Sequence, residues 1–110
     1  MNRGERRALL CYLVRGYRLV GANVHAGGYE LDLIVRRGRR LVFVEVKEKR
    51  GPGFGGPLEM VDREKRRRVR RAAEAWLAGR RDLAVLDLAF EVVGIRAGRL
   101  VRVADDLDDA

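Results

Sequence analysis

The chain has 110 residues, with 24 Lys and Arg against 16 Asp and Glu and a formal net charge of +8 at pH 7. That length holds one hydrophobic core and leaves no room for a second, and no apolar run approaches the ~20 residues that span a bilayer. The excess of positive charge points to a polyanionic partner, nucleic acid first, and the single cysteine excludes an intrachain disulfide.

In chain order, Ala8, Leu9, Tyr12 and Leu13 recur at helical spacing between residue 3 and about residue 15, and Gly16 stops the pattern. Cys11 lies in this helix and reads as a small buried hydrophobe. Glu5 stands three, four, seven and eight positions before the four apolar residues, on their own face, where a carboxylate needs a partner. Residues 17–24 are β-prone and form a first strand, with residues 23–28 as its exit loop. His25, the only histidine, falls in that loop and reads as a surface residue; a multi-histidine metal site is excluded. Residues 29–36 and 41–49 form a hairpin across Arg37, Gly38 and Arg39. Alternation puts Val42, Val44 and Val46 on one face and Leu41, Phe43, Glu45 and Lys47 on the other, so this strand is central and covered on both sides. On its partner Leu31, Leu33 and Val35 share a face, leaving Glu30, Asp32 and Ile34 opposite.

Residues 51–57, GPGFGGP, make an irregular loop, and a strong helix follows over residues 58–78. Val61, Val69, Ala72, Ala73, Trp76 and Leu77 form its apolar stripe, Gly79 ends it, and Lys65 points along the buried face. Two further strands, residues 85–95 and 99–103, join through Ala97 and Gly98. The order is helix, three strands, helix, two strands: an α/β domain over residues 1–104 with a mixed central sheet flanked by helices. Asp105, Asp106, Asp108 and Asp109 make a solvated acidic tail over residues 105–110. The N-terminus carries no apolar signal stretch, which places the protein in the cytoplasm.

Glu5, Asp32, Glu45 and Lys47 are charged where periodicity asks for apolar residues, and burying each alone would cost on the order of several kcal/mol. Glu45 and Lys47 emerge on one face of a strand, and Asp32 comes from the strand beside it. Carboxylates so placed suit a hard divalent ion such as Mg²⁺ or Mn²⁺, which activates water and stabilises charge on a phosphate, with Asp32 and Glu45 as ligands. Lys47 is placed to orient the water or neutralise the transition state. The competing reading of the E-x-K pair is mutual neutralisation of Glu45 and Lys47.

Asp32 on one hairpin strand with Glu45-Val46-Lys47 on the next resembles the PD-(D/E)xK core of restriction endonucleases and archaeal Holliday-junction resolvases. GERRA at 4–8, RGYRLV at 15–20, ELDLI at 30–34, LVFVEVK at 41–47, FGGPLE at 54–59 and Lys65 followed by a basic helix resemble the YraN-like family, UPF0102. The resemblance implies a restriction-endonuclease-like core and makes Glu5, Asp32, Glu45 and Lys47 the catalytic set. It marks Glu30 and Lys65 as family positions of less certain role. Two positions depart from the family pattern. Tyr29 stands where a glycine is usual, and its ring would narrow access to a metal; Glu48-Lys49 replaces a small residue and arginine.

Arg36, Arg37, Arg39 and Arg40 at the hairpin turn, and Lys65, Arg67 and Arg68 on the second helix, are expected to flank one end of the sheet and grip phosphates. The expected function is a metal-dependent DNA endonuclease acting on duplex or branched DNA, a homodimer if it makes paired cuts in a four-way junction. The alternatives are a noncatalytic nucleic-acid-binding module of the same fold and an adaptor whose arginines meet an acidic protein surface.

Overall fold

The computed structural model describes residues 1–49 and 63–104. The elements are α1 (Arg3–Leu13), β1 (Arg18–Ala26), β2 (Tyr29–Arg37), β3 (Arg40–Lys49), α2 (Arg63–Leu77), α3 (Arg81–Ala84), β4 (Asp87–Arg96) and β5 (Arg99–Ala104). The five strands form one sheet in the order β1-β2-β3-β4-β5. All neighbours are antiparallel except β3 and β4. A parallel pair needs a crossover, and the segment carrying α2 supplies it. The expected α/β architecture, a mixed sheet between helices, is what the chain adopts.

α1 begins at Asn2, whose side chain accepts the Glu5 N–H at 2.8 Å while the Glu5 carboxylate accepts the Asn2 N–H at 2.8 Å. This reciprocal capping box satisfies two otherwise orphan donors. Ala8 and Tyr12 are fully buried against Leu33, Val35, Val42, Val44, Val93 and Ile95 on one side of the sheet, and the partly buried Leu9 packs beside them. Val69, Ala72, Ala73, Trp76 and Leu77 of α2 pack on the other side against Leu31, Ile34, Leu41 and Phe43. Phe43 meets Trp76 edge-on at 6.0 Å and stacks on Phe90 at 5.3 Å. Leu41 to Val44 are all buried, so β3 is the doubly covered central strand that its apolar run implied. Gly27, in the tight turn between β1 and β2, has φ +56, and a Cβ there would lie 3.0 Å from the Arg71 carbonyl oxygen. This turn sits directly against α2.

Several expectations change. Cys11 is only half-buried, because it faces the rim of α1, where Arg15 donates to its Sγ at 3.0 Å. Leu13, last in the helix, is 45% exposed. Residues 23–26 continue β1 instead of leaving it, since Ala26 still pairs with Tyr29. Residues 85 and 86 precede β4; the short α3 forms first because the Arg80 carbonyl accepts the N–H groups of Leu83 and Ala84. Leu31 does not share a face with Leu33 and Val35 but joins the α2 side. The faces exchange beside Asn23, which takes a left-handed φ of 50 between the Ala22–Leu33 and Val24–Leu31 pairs. The 51–57 loop, residues 58–62 of the second helix with Val61, and the acidic tail lie outside the described residues.

Candidate functional site

The β2–β3 ladder runs from Arg37–Arg40 only as far as Leu33–Val44. Beyond it β2 stays paired with β1 to the turn, and β3 stays paired with β4 to Lys49–Arg96. The two halves of the sheet therefore part, and Asp32 stands at the split. Its Oδ2 accepts the Val46 N–H at 2.8 Å, replacing a lost ladder bond with a side-chain one.

Four carboxylates gather here. Glu5 reaches in from the start of α1 and is 5% exposed. Oxygens of Glu5, Glu30 and Asp32 all lie within 4.8 Å of one another. Glu45, also 5% exposed, approaches Asp32 from β3; its Oε2 lies 3.4 Å from the Tyr29 hydroxyl and 3.9 Å from Lys65 Nζ. Asn23 Nδ2 donates to Glu30 Oε1 at 2.8 Å and to both oxygens of Glu5 at 3.2 Å. His25 is exposed and its Nε2 lies 3.3 Å from Glu30 Oε2.

Crowding negative charge in a dry place has a measurable signature. Burial first, and then the charge of Asp32, pushes the Glu45 carboxyl up to about 8. Asp32 is raised too, by burial above all and then by Glu5, although the Val46 N–H and Lys47 work against it. Tyr29 is held well above the ordinary phenol range by burial and by the charges of Glu45 and Asp32. Lys47 works against the rise at both Asp32 and Glu45. An all-oxygen set of carboxylate donors is the ligand type that Mg²⁺ and Mn²⁺ take.

The positions expected from the sequence divide into two groups. Glu5, Glu30, Asp32, Glu45, Lys47 and Lys65 come together at the split. Arg36, Arg37, Arg39 and Arg40 do not: the hairpin turn lies at the far end of β2, five residues or about 17 Å of strand beyond Asp32. They are also engaged there. Arg36 and Arg37 donate to the carbonyls of Gly38 and Arg15, Arg39 to that of Val85, and Arg40 to Glu91 and the Tyr17 hydroxyl. The two basic clusters accordingly occupy opposite ends of the sheet, and the expectation of a common end is corrected. Arg67 and Arg68 are exposed on the Lys65 half of α2, where Arg68 pairs with Glu64 at 2.7 Å.

Two features escaped the sequence. Asn23 falls within the expected exit loop, though an asparagine inside a β-prone run is itself a signal. Glu91, 6% exposed, receives the Tyr12 hydroxyl at 2.5 Å and Arg40 at 2.8 Å, with Arg102 at 3.4 Å. It sits in AFEVVGI, and the same search for charged misfits in apolar strands would have found it.

Fold and site define an α/β protein with a cluster of buried and half-buried carboxylates at a split between sheet halves. The chain belongs to the Uncharacterised protein family UPF0102, whose family model matches residues 4–95, a stretch that contains the whole cluster. It is 42% identical over 92 residues to a UPF0102 protein of Alkalilimnicola ehrlichii, covering 84% of this chain and 73% of that one. A UPF0102 protein of Xanthomonas campestris pv. campestris is 47% identical over 78 residues, 71% of this chain and 64% of its own length. UPF0102 protein YraN of Escherichia coli O157:H7 is 36% identical over 96 residues, 86% and 73% of the respective chains. Among the described residues no helix is long and apolar enough to cross a membrane.

Proposed function

We propose that this protein is a metal-dependent DNA endonuclease that hydrolyses phosphodiester bonds. The observation that carries the reading is the convergence of Asp32 and Glu45 with Glu5 and Glu30 at the split, where burial raises both Asp32 and Glu45, helped at Asp32 by the charge of Glu5 and at Glu45 by that of Asp32. Asp32 and Glu45 would hold Mg²⁺ or Mn²⁺, with Glu5 and Glu30 beside them. Such an ion, when bound, stabilises charge on phosphate and makes water a better nucleophile.

The chain's own groups do the rest. Lys47 faces Asp32 and Glu45 electrostatically, a position from which an ammonium orients water or balances charge on the attacked phosphate. Lys65, 3.9 Å from Glu45, holds that carboxylate toward α2. Arg67 and Arg68 on the same half of α2 contact flanking phosphates, which positions duplex without reading sequence. Branched DNA as the preferred substrate and action as a homodimer follow from the resemblance to Holliday-junction resolvases, and a cytoplasmic place of work from the want of an apolar signal stretch.

The test is cleavage of labelled four-way junction, flap and plain duplex DNA with Mg²⁺ or Mn²⁺, comparing the wild type with Asp32→Ala and Glu45→Ala. Cutting that both variants abolish, with DNA binding retained, supports the reading. Binding of all three substrates without cutting under either metal replaces it with the noncatalytic nucleic-acid-binding module.

A further inference from the structure

One residue joins the carboxylates without neutralising them. Asn23 sits in β1, and its Nδ2 has two hydrogens to give. One meets Glu30 Oε1 at 2.8 Å; the other is shared by the two oxygens of Glu5 at 3.2 Å each. Three acceptor oxygens around a single nitrogen fix which way the amide faces, because its own oxygen would be repelled there. The residue reaches this position by taking φ 50 within a strand, a conformation that asparagine tolerates better than other side chains. An outlier of this kind persists only where surrounding contacts hold it, and such outliers cluster at functional sites.

The chemistry of the donor explains why an amide stands here. A lysine or arginine at the same point would tie Glu5 to Glu30 equally well, but its charge would cancel theirs and the negative potential of the cleft would fall. A neutral amide holds α1, through Glu5, to β2, through Glu30, and brings no positive charge of its own. Glu5 is at the same time the partner of the Asn2 N–H at the helix start, so its position is set from two sides. Oxygens of Glu5 and Glu30 then lie within 4.8 Å of each other and of one from Asp32.

We propose that Asn23 is a positioning residue for divalent-cation binding, clamping Glu5 and Glu30 close enough for a single ion to reach both without placing a positive charge between them. The inference rests on the metal-site part of the reading above, and not on DNA cleavage. Its test is Mn²⁺ titration of the full chain by calorimetry, without DNA, on the wild type and Asn23→Gly. Glycine adopts φ 50 freely, so this variant keeps the backbone and loses only the amide; its thermal midpoint in EDTA confirms folding.

Loss of an outer partner of this kind weakens metal binding by about 10- to 100-fold, and that is the expected result at a near-unchanged midpoint in EDTA. Because Asn23 acts through Glu30 and Glu5, the loss should shrink when Asn23→Gly is made in a Glu30→Gln background. Equal Mn²⁺ affinity of Asn23→Gly and wild type overturns the proposal, as do fully additive losses in the double variant or a wild type that takes up no Mn²⁺. A wild type that binds Mn²⁺ but leaves every DNA uncut refutes the nuclease reading, and the role of Asn23 then stands or falls on the titration alone.

Discussion

Replacing Glu45 by Gln tests the electrostatics of the cleft with no need for a substrate. The Glu45 carboxyl moves from an ordinary 4.5 to about 8 in the folded chain, chiefly through burial and the charge of Asp32. Between these values the unfolded chain has released its proton while the native state keeps it. The native state therefore binds more protons, and stability falls as pH rises through this window. At 1.36 kcal/mol per unit, the fall from pH 5 to 8 is roughly 3–4 kcal/mol, a large share of the ~5–15 kcal/mol that holds a domain together. Gln keeps the shape and still accepts a hydrogen bond from Tyr29, but does not titrate. Urea denaturation in EDTA from pH 5 to 9 should show wild-type stability declining and Glu45→Gln nearly flat, with the variant ahead by a few kcal/mol at the alkaline end. Millimolar Mg²⁺ should flatten the wild-type decline, since a cation favours the ionised carboxylate. A wild type that is flat or gains stability over this range, or a variant with the same slope, refutes the reasoning.

Tyr12→Phe removes the hydroxyl that Glu91 receives at 2.5 Å in a buried site, and should lose about 1.5–3 kcal/mol by denaturant titration, as expected for a hydrogen bond to a charged group. Gly27→Ala should destabilise more than Gly28→Ala, although both glycines have positive φ, because only at Gly27 does a Cβ meet the α2 backbone, at 3.0 Å; equal thermal midpoints would show that this turn does not bear on the helix. Ala97→Asn should raise stability by about 1 kcal/mol, since Ala97 holds φ 49 in the turn before Gly98 and Asn-Gly suits such a turn. Arg67→Ala should weaken DNA binding alike on all sequences and reduce the salt-dependence slope by about 1, which fluorescence anisotropy at several salt concentrations measures.

Much of the fold was legible in the chain because it is written in local periods. The helical spacing of Ala8 and Tyr12, the alternation along residues 41–46 and the stripe of Val69, Ala72, Ala73 and Trp76 each predict one element and its buried side, and each holds. The misfit carboxylates were legible for the same reason, since Glu5 and Glu45 stand out only against an apolar pattern. Both are nearly inaccessible to water.

What periodicity cannot express is where two strands stop being neighbours. The end of the β2–β3 ladder at Leu33–Val44, the exchange of faces beside Asn23, and the meeting of Glu5 from α1 with Glu30 and Asp32 from β2 depend on long-range pairing. Whether Arg36–Arg40 and the α2 cations share an end depends on which way the crossover runs. It carries the start of α2 to Glu45 and leaves the hairpin at the opposite pole. Sequence by itself determined the elements and most of their buried faces, because these follow from side-chain chemistry at fixed spacing; it misplaced Cys11, Leu13 and Leu31, whose burial depends on what packs beside them. Tertiary structure alone decided which charges meet, because that depends on contacts between residues far apart in the chain.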